Sequence, residues 1–186
     1  FKKPRSAVIF GAGPIGLMLT QLAKRVYDIE TVIVVEPAQL RKHKAEEAGA
    51  DVVIDPLIDA VDLVVLNYTS GFGAELEFTA CPVYEVHKQA IEIVAPNGVV
   101  NLFGGIGKCE PPLEIFSNYI HYKQIYVTGS HGSTPRQHKR ALSLIEQNKI
   151  SVDDLITNEI GIHDIHEGFR MASAGEASKV VIKPQG

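Results

Sequence analysis

The run Ala7-Val8-Ile9-Phe10 opens directly onto Gly11-Ala12-Gly13-Pro14-Ile15-Gly16. Glycines at this spacing have three distinct uses: the first permits a tight turn out of a strand, the second lets backbone approach a pyrophosphate, and the third lets a following helix sit close to the sheet. A helix opening at such a loop offers unpaired N–H groups and the positive end of its dipole to phosphate. The next β-rich run ends on an acid, Glu36, twenty residues after Gly16. A carboxylate there accepts hydrogen bonds from both adenosine ribose hydroxyls and repels a 2′-phosphate, so the pattern points to NAD rather than NADP. Three other readings share this geometry: an S-adenosylmethionine methyltransferase, a nucleotide-sensing domain without catalysis, and a plain tight strand-to-helix turn.

The other residue types able to do chemistry read more simply. His163 and His166 lie three apart, but no third Cys, His or carboxylate is spaced to complete a metal site with them, and a surface pair is the better reading. Cys81 and Cys109 form neither a CxxC nor a Cys/His ligand pattern, so no disulfide scaffold or structural zinc is indicated, and reduced, cytoplasmic thiols are expected. Cys81 reads as an inert packed thiol and Glu77 as a buried structural carboxylate. His121 and His131 are placed in loops, where function concentrates, with His131 the stronger candidate for cofactor contact. Asp153-Asp154 suits a helix start.

These residues need elements to carry them. Short β-rich runs at 6–10, 31–36, 51–54, 75–79, 98–103 and 124–129 alternate with helical patterns over 14–27, 38–48, 59–69, 84–95 and 135–148. That alternation predicts an α/β fold, a doubly wound parallel sheet with crossover helices. Pro14 suits a first helical turn, where its missing N–H costs nothing, and Gly49 suits a left-handed helix end. Residues 59–69 are ambiguous, since Val61 to Leu66 also reads as a strand; the alternation favours helix. After Lys149 the rhythm changes to an apolar piece at 155–162, a helix at 163–172 and a terminal run at 179–184. The expected division is a dinucleotide-binding domain over 1–149 and a separate C-terminal segment over 150–186.

Composition bounds the partners. The chain of 186 residues is 45% apolar, enough for one good core, and its formal charge of −4 gives no reason to expect nucleic acid or an anionic membrane. Nothing approaches a spanning apolar stretch or a signal peptide.

Nearly the whole chain resembles the medium-chain dehydrogenase/reductase family, and within it the zinc-dependent sorbitol, threonine and polyol dehydrogenases. The resemblance runs through Ala7 to Leu17, Val34-Val35-Glu36 with Arg41, Glu47 to Asp51, Gly71 to Ala80, Gly98 to Gly105, Val127 to Ser130 and Ser178 to Pro184. It implies a Rossmann sheet that binds NAD for hydride transfer to and from an alcohol, polyol or sugar, commonly in a homo-oligomer. A zinc-free quinone or enoyl reductase of the same family is the alternative.

By matching position the resemblance assigns the pyrophosphate to Gly11, Gly13, Pro14 and Ile15 with Gly16 behind them, and the adenosine ribose to Glu36 with Arg41 flanking. Thr79, Phe103, Gly104, Ser130 and His131 line the rest of the groove, and Lys179 reaches towards the phosphates. Ala80, followed by Cys81-Pro82, stands where the family usually has glycine. No catalytic residue or zinc ligand is assigned within these residues. In the family zinc and most of the substrate pocket belong to a catalytic domain ahead of the cofactor domain, and Phe1 falls just before the first strand. The resemblance therefore implies an excised cofactor domain that binds NAD without turnover, its C-terminal segment normally returning to the catalytic domain.

Overall fold

The computed structural model describes residues 2–185; Phe1, expected to fall just ahead of the first strand, lies outside the described residues. Six parallel strands form one sheet in the order β3-β2-β1-β4-β5-β6: β1 Ser6–Phe10, β2 Thr31–Val35, β3 Val52–Ile54, β4 Leu76–Thr79, β5 Val99–Leu102 and β6 Tyr126–Gly129. The crossover helices are α1 Pro14–Gln21, α2 Gln39–Ala48, α3 Val61–Tyr68, α4 Tyr84–Ile93 and α5 Asn118–Lys123, with α6 Pro135–Glu146 following β6. The expected doubly wound α/β sheet is what the chain forms.

Strands β1 and β2 are short and largely apolar because both sheet faces are covered there. All five residues of β1 are buried. On one face Val8, Phe10, Ile33 and Val100 meet Val61 and Val65 of α3 and Ala90 and Ile91 of α4. On the other, Ala7, Ile9, Val32 and Val34 meet Leu17 of α1 and Ala45 and Ala48 of α2. Residues 61–68 are helical, as the alternation required. Gly49 ends α2 in the left-handed region at φ 107°. The first helix is shorter than expected: α1 stops at Gln21 and the chain widens into a π turn over Leu22–Val26.

Two placements differ from the sequence reading. The helix α5 lies in a stretch read as loop, so His121 is helical. This helix has only six residues and ends on Gln124, which turns the chain left-handed at φ 53° without a glycine to announce it. The helix expected at 163–172 starts late, with a 3₁₀ turn over Ile162–Asp164 before α7 Ile165–Ala174.

Strands β7 Asn158–Gly161 and β8 Val180–Lys183 form a separate two-stranded parallel sheet, with α7 as its crossover. Gly168 of α7 lies against Ile160 and Val180, so the helix approaches the strands closely. Ser151 and Leu155 join this unit to the main sheet's α1 layer: Gln21 and Ser151 exchange two hydrogen bonds at 2.7 and 3.0 Å, and Leu155 is buried beside Leu17 and Ala48. Among the described residues no helix is long and apolar enough to cross a membrane.

Candidate dinucleotide crevice

The strand order reverses between β1 and β4, whose chain connections leave in opposite directions. In an open parallel sheet the ligand crevice lies beyond the carboxyl ends of the strands at that reversal. Phe10 and Thr79, the last residues of β1 and β4, are paired in register there.

Each glycine of the loop after β1 has a separate cause. Gly11 sits at φ 99°, and a Cβ on it would lie 3.2 Å from both the Ala80 carbonyl oxygen and the Cys81 Cβ. At Gly16 a Cβ would meet the Gly11 carbonyl oxygen at 1.8 Å, because α1 rests on the loop. Gly13 is different. It is the N-cap of α1 in an extended conformation, and a Cβ there would meet nothing within 4 Å. The fold needs Gly11 and Gly16, whereas Gly13 leaves open space in front of a helix N-terminus that no side chain caps. Pro14 occupies the first turn as expected, and Ile15 is exposed at the rim.

Glu36 follows β2 and is only 3% exposed. One carboxylate oxygen accepts from the Ala12 N–H at 2.8 Å, and the other accepts from the Ala38 N–H at 2.9 Å. The acid thus ties the glycine loop to the start of α2, and each oxygen keeps a second lone pair for a ligand hydroxyl. The Arg41 guanidinium lies 3.4 Å from Glu36, an ion pair without hydrogen-bond alignment, since Arg41 Nε is buried with no partner. Gly11, Glu36 and Arg41 share a groove of about 810 Å³ with Phe10, Val35 and Val83.

Across the reversal, Thr79 is fully buried, and its carbonyl accepts the Gly104 N–H at 2.6 Å. A Cβ on Gly104 would meet the Cys81 carbonyl oxygen at 2.7 Å. Ala80, in the place of the expected glycine, continues the ladder by donating its N–H to Phe10 at 2.8 Å. Cys81 is half-buried and desolvation pushes its thiol up, in keeping with an inert packed cysteine. Phe103 is partly exposed just past β5; Ser130 and His131 are exposed just past β6. Ser130 Oγ accepts from Asn101 Nδ2 at 2.9 Å. Lys179 is exposed just before β8, and its carbonyl accepts from the N–H groups of Thr157 and Asn158.

Sequence reading missed two polar groups close to this crevice, the buried His87 and the half-buried Asn101. His87 Nε2 lies 3.2 Å from Thr79 Oγ1, and Asn101 keeps a buried Oδ1 without a partner. Both sit in runs whose pattern signals only helix or strand, so nothing marks them as paired.

The glycine cradle and the acid fit a dinucleotide. They do not fit zinc, for no three His, Cys, Asp or Glu side chains among the described residues cluster to hold a metal. A sequence profile described as zinc-binding dehydrogenase matches residues 14–147. L-threonine 3-dehydrogenase of Thermococcus kodakarensis is 35% identical over 97% of this chain and 51% of its own length. Sorbitol dehydrogenase of Halalkalibacterium halodurans is 30% identical over 95% of this chain, again 51% of its own. Among solved structures, 2R,3R-butanediol dehydrogenase from Bacillus subtilis superposes with a TM-score of 0.87 at 30% identity, covering all of this chain and 52% of that one. The chain spans about half the length of the curated relatives it matches. The fold, the crevice and these matches together make the chain a member of the zinc-binding dehydrogenase family, matching its cofactor-binding region.

Proposed function

We propose that this chain is the NAD-binding part of an alcohol or polyol dehydrogenase, and that Gly11 to Gly16 hold the pyrophosphate while Glu36 takes the ribose hydroxyls. The observation that carries this reading is Gly13: a position free of any protein neighbour within 4 Å, ahead of an uncapped helix N-terminus and one residue from the Glu36-bound N–H of Ala12. Bound NAD supplies the hydride acceptor at its nicotinamide ring. The chain's own residues bind and orient it: the loop fixes the phosphates, Glu36 and Arg41 fix the adenosine end, and Thr79, Phe103, Gly104, Ser130 and His131 fix the far half. Lys179, just before β8, is proposed to reach towards the phosphates.

Zinc is assigned to the remainder of a full-length protein, since the described residues offer no cluster for it. On this reading residues 150–186 form the segment that packs towards that remainder, and the 186-residue chain by itself binds NADH without turning over alcohols. The protein is proposed to be cytoplasmic, where its two free cysteines stay reduced, and to be a homo-oligomer, supported by an edge strand β6 exposed along its length.

The test is the choice between cofactors. Two unit charges 4 Å apart at an effective dielectric near 20 interact by about 4 kcal/mol, and a quarter of that after screening approaches a tenfold difference. NADPH is therefore expected to bind at least about tenfold more weakly than NADH by calorimetry at moderate salt. Equal dissociation constants would remove Glu36 from the ribose site.

A further inference from the structure

Behind the crevice lies a side-chain pair that the glycine loop does not require. His87, the fourth residue of α4, is 4% exposed, and its Nε2 is 3.2 Å from Oγ1 of the fully buried Thr79. Thr79 is more than the end of a strand. Its carbonyl holds the Gly104 N–H at 2.6 Å, and the next residue holds Phe10 through the N–H of Ala80 at 2.8 Å. The backbone of residues 80 and 81 then lies where a Cβ on Gly11 would approach to 3.2 Å and one on Gly104 to 2.7 Å. Residues 79–81 are thus a wedge between the two loops that face a bound dinucleotide. Changing the height of the wedge changes the distance between those loops.

A buried imidazole and a buried hydroxyl each cost free energy unless paired, so two such groups facing each other hold each other in one orientation. Two apolar side chains could fill this helix-to-sheet layer equally well without fixing a direction. The hydrogen bond is directional and ties α4 to the last residue of β4, at the reversal point of the sheet.

We propose that His87 is a positioning residue for the dinucleotide, setting residues 79–81 between the glycine loop and the Phe103-Gly104 loop without touching the cofactor itself. This rests on the proposal that the crevice takes NAD(H). The experiment is a fluorescence titration with NADH on the chain and its variants, with thermal melts alongside. His87→Leu is expected to weaken NADH binding about five- to tenfold, the scale of one lost hydrogen bond transmitted to the site, and His87→Gln, which keeps an N–H, to recover to within about twofold of wild type. Ile91→Val, a buried packing change on the same helix, is expected to lower the melting temperature and leave NADH affinity unchanged. Should His87→Leu fail to fold, His87→Met, which likewise offers Thr79 no N–H, decides the matter by the same loss. Wild-type affinity in His87→Leu or in His87→Met overturns the proposal, as does a loss in Ile91→Val equal to that in His87→Leu. If the unmodified chain does not bind NADH, the reading of the crevice fails first and this one with it.

Discussion

The main sheet and the C-terminal sheet are built from the same unit, parallel strands joined by a crossover helix, but they bury it to different depths. In β1 every residue is buried, with helices on both faces. In β7 and β8 none is, and α7 is the helix that packs on the pair among the described residues; Phe169 on that helix is 65% exposed. Parallel strands are stable with both faces covered. The main sheet meets that condition at β1 and β2 within this chain, though not at its exposed edge strand β6. The C-terminal unit meets half of it, which supports the proposal that its second face packs against the remainder of a full-length protein.

The contrast can be tested at one glycine in each region. Gly16→Ala places a methyl 1.8 Å from the Gly11 carbonyl oxygen and 2.8 Å from its carbon, backbone that cannot give way. A loss of about 3–5 kcal/mol is expected, measured by denaturant unfolding. Gly168→Ala places its methyl 2.5 Å from Ile160 Cδ1, the free end of a side chain that can turn aside. Alanine's better helix propensity offsets most of that strain, so a change within about 1 kcal/mol is expected. Equal losses at both would mean that the C-terminal unit is as rigidly built as the main sheet.

The second test concerns a charge inside the better-buried region. Glu77 in β4 is paired in register with Val8 and Val100, is fully buried, and has no hydrogen-bond partner on either carboxyl oxygen. Desolvation holds its carboxyl well above the ordinary glutamate range, while Lys123 pulls slightly the other way. The Lys123 ammonium is occupied with the carbonyls of Glu92 and Val94 at 2.5 and 3.1 Å. A carboxyl raised in the folded state favours folding most below its unfolded pKa, and this stability is lost as pH rises through the folded value. Glu77→Leu is expected to gain about 1–3 kcal/mol. The gain should grow with pH from the ordinary glutamate range upwards; a flat difference across pH would show that Glu77 is charged at all values tested.

The smallest effect belongs to the C-terminal unit. Arg170 forks onto Glu167 and Glu176, with N–O distances of 2.7 to 2.9 Å, all on the surface. It holds both acids below their usual range, so the contribution is present above that range and lost as pH falls through the lowered values. Exposed pairs contribute little, and Arg170→Ala should barely move the melting temperature at neutral pH. A large shift would mean that α7 is held by charge rather than by packing on Ile160 and Val180.

The parts legible in the sequence were those with a local cause. Gly11, Gly16 and Glu36 announce themselves because turn geometry and ligand chemistry demand those residue types at that spacing. The central strands β1 and β2 are legible because burial on both faces requires apolar runs such as Val-Ile-Val-Val at 32–35. The short α5 was not legible, since its boundary rests on a left-handed glutamine. His87 and Asn101 were not, because their partners are Thr79 and Ser130, brought together only by the parallel sheet and its helices.

The most direct measurement of the central claim pairs an NADH titration with a thermal melt on Gly13→Val. Because nothing beyond its chain neighbours lies within 4 Å of a Cβ at Gly13, the added side chain is expected to disturb chiefly what binds there. The expected result is a melt like that of the unmodified chain and a loss of NADH affinity of more than about a hundredfold, some 3 kcal/mol. A variant that folds and still binds NADH at the unmodified affinity would contradict the claim that this loop is the phosphate cradle.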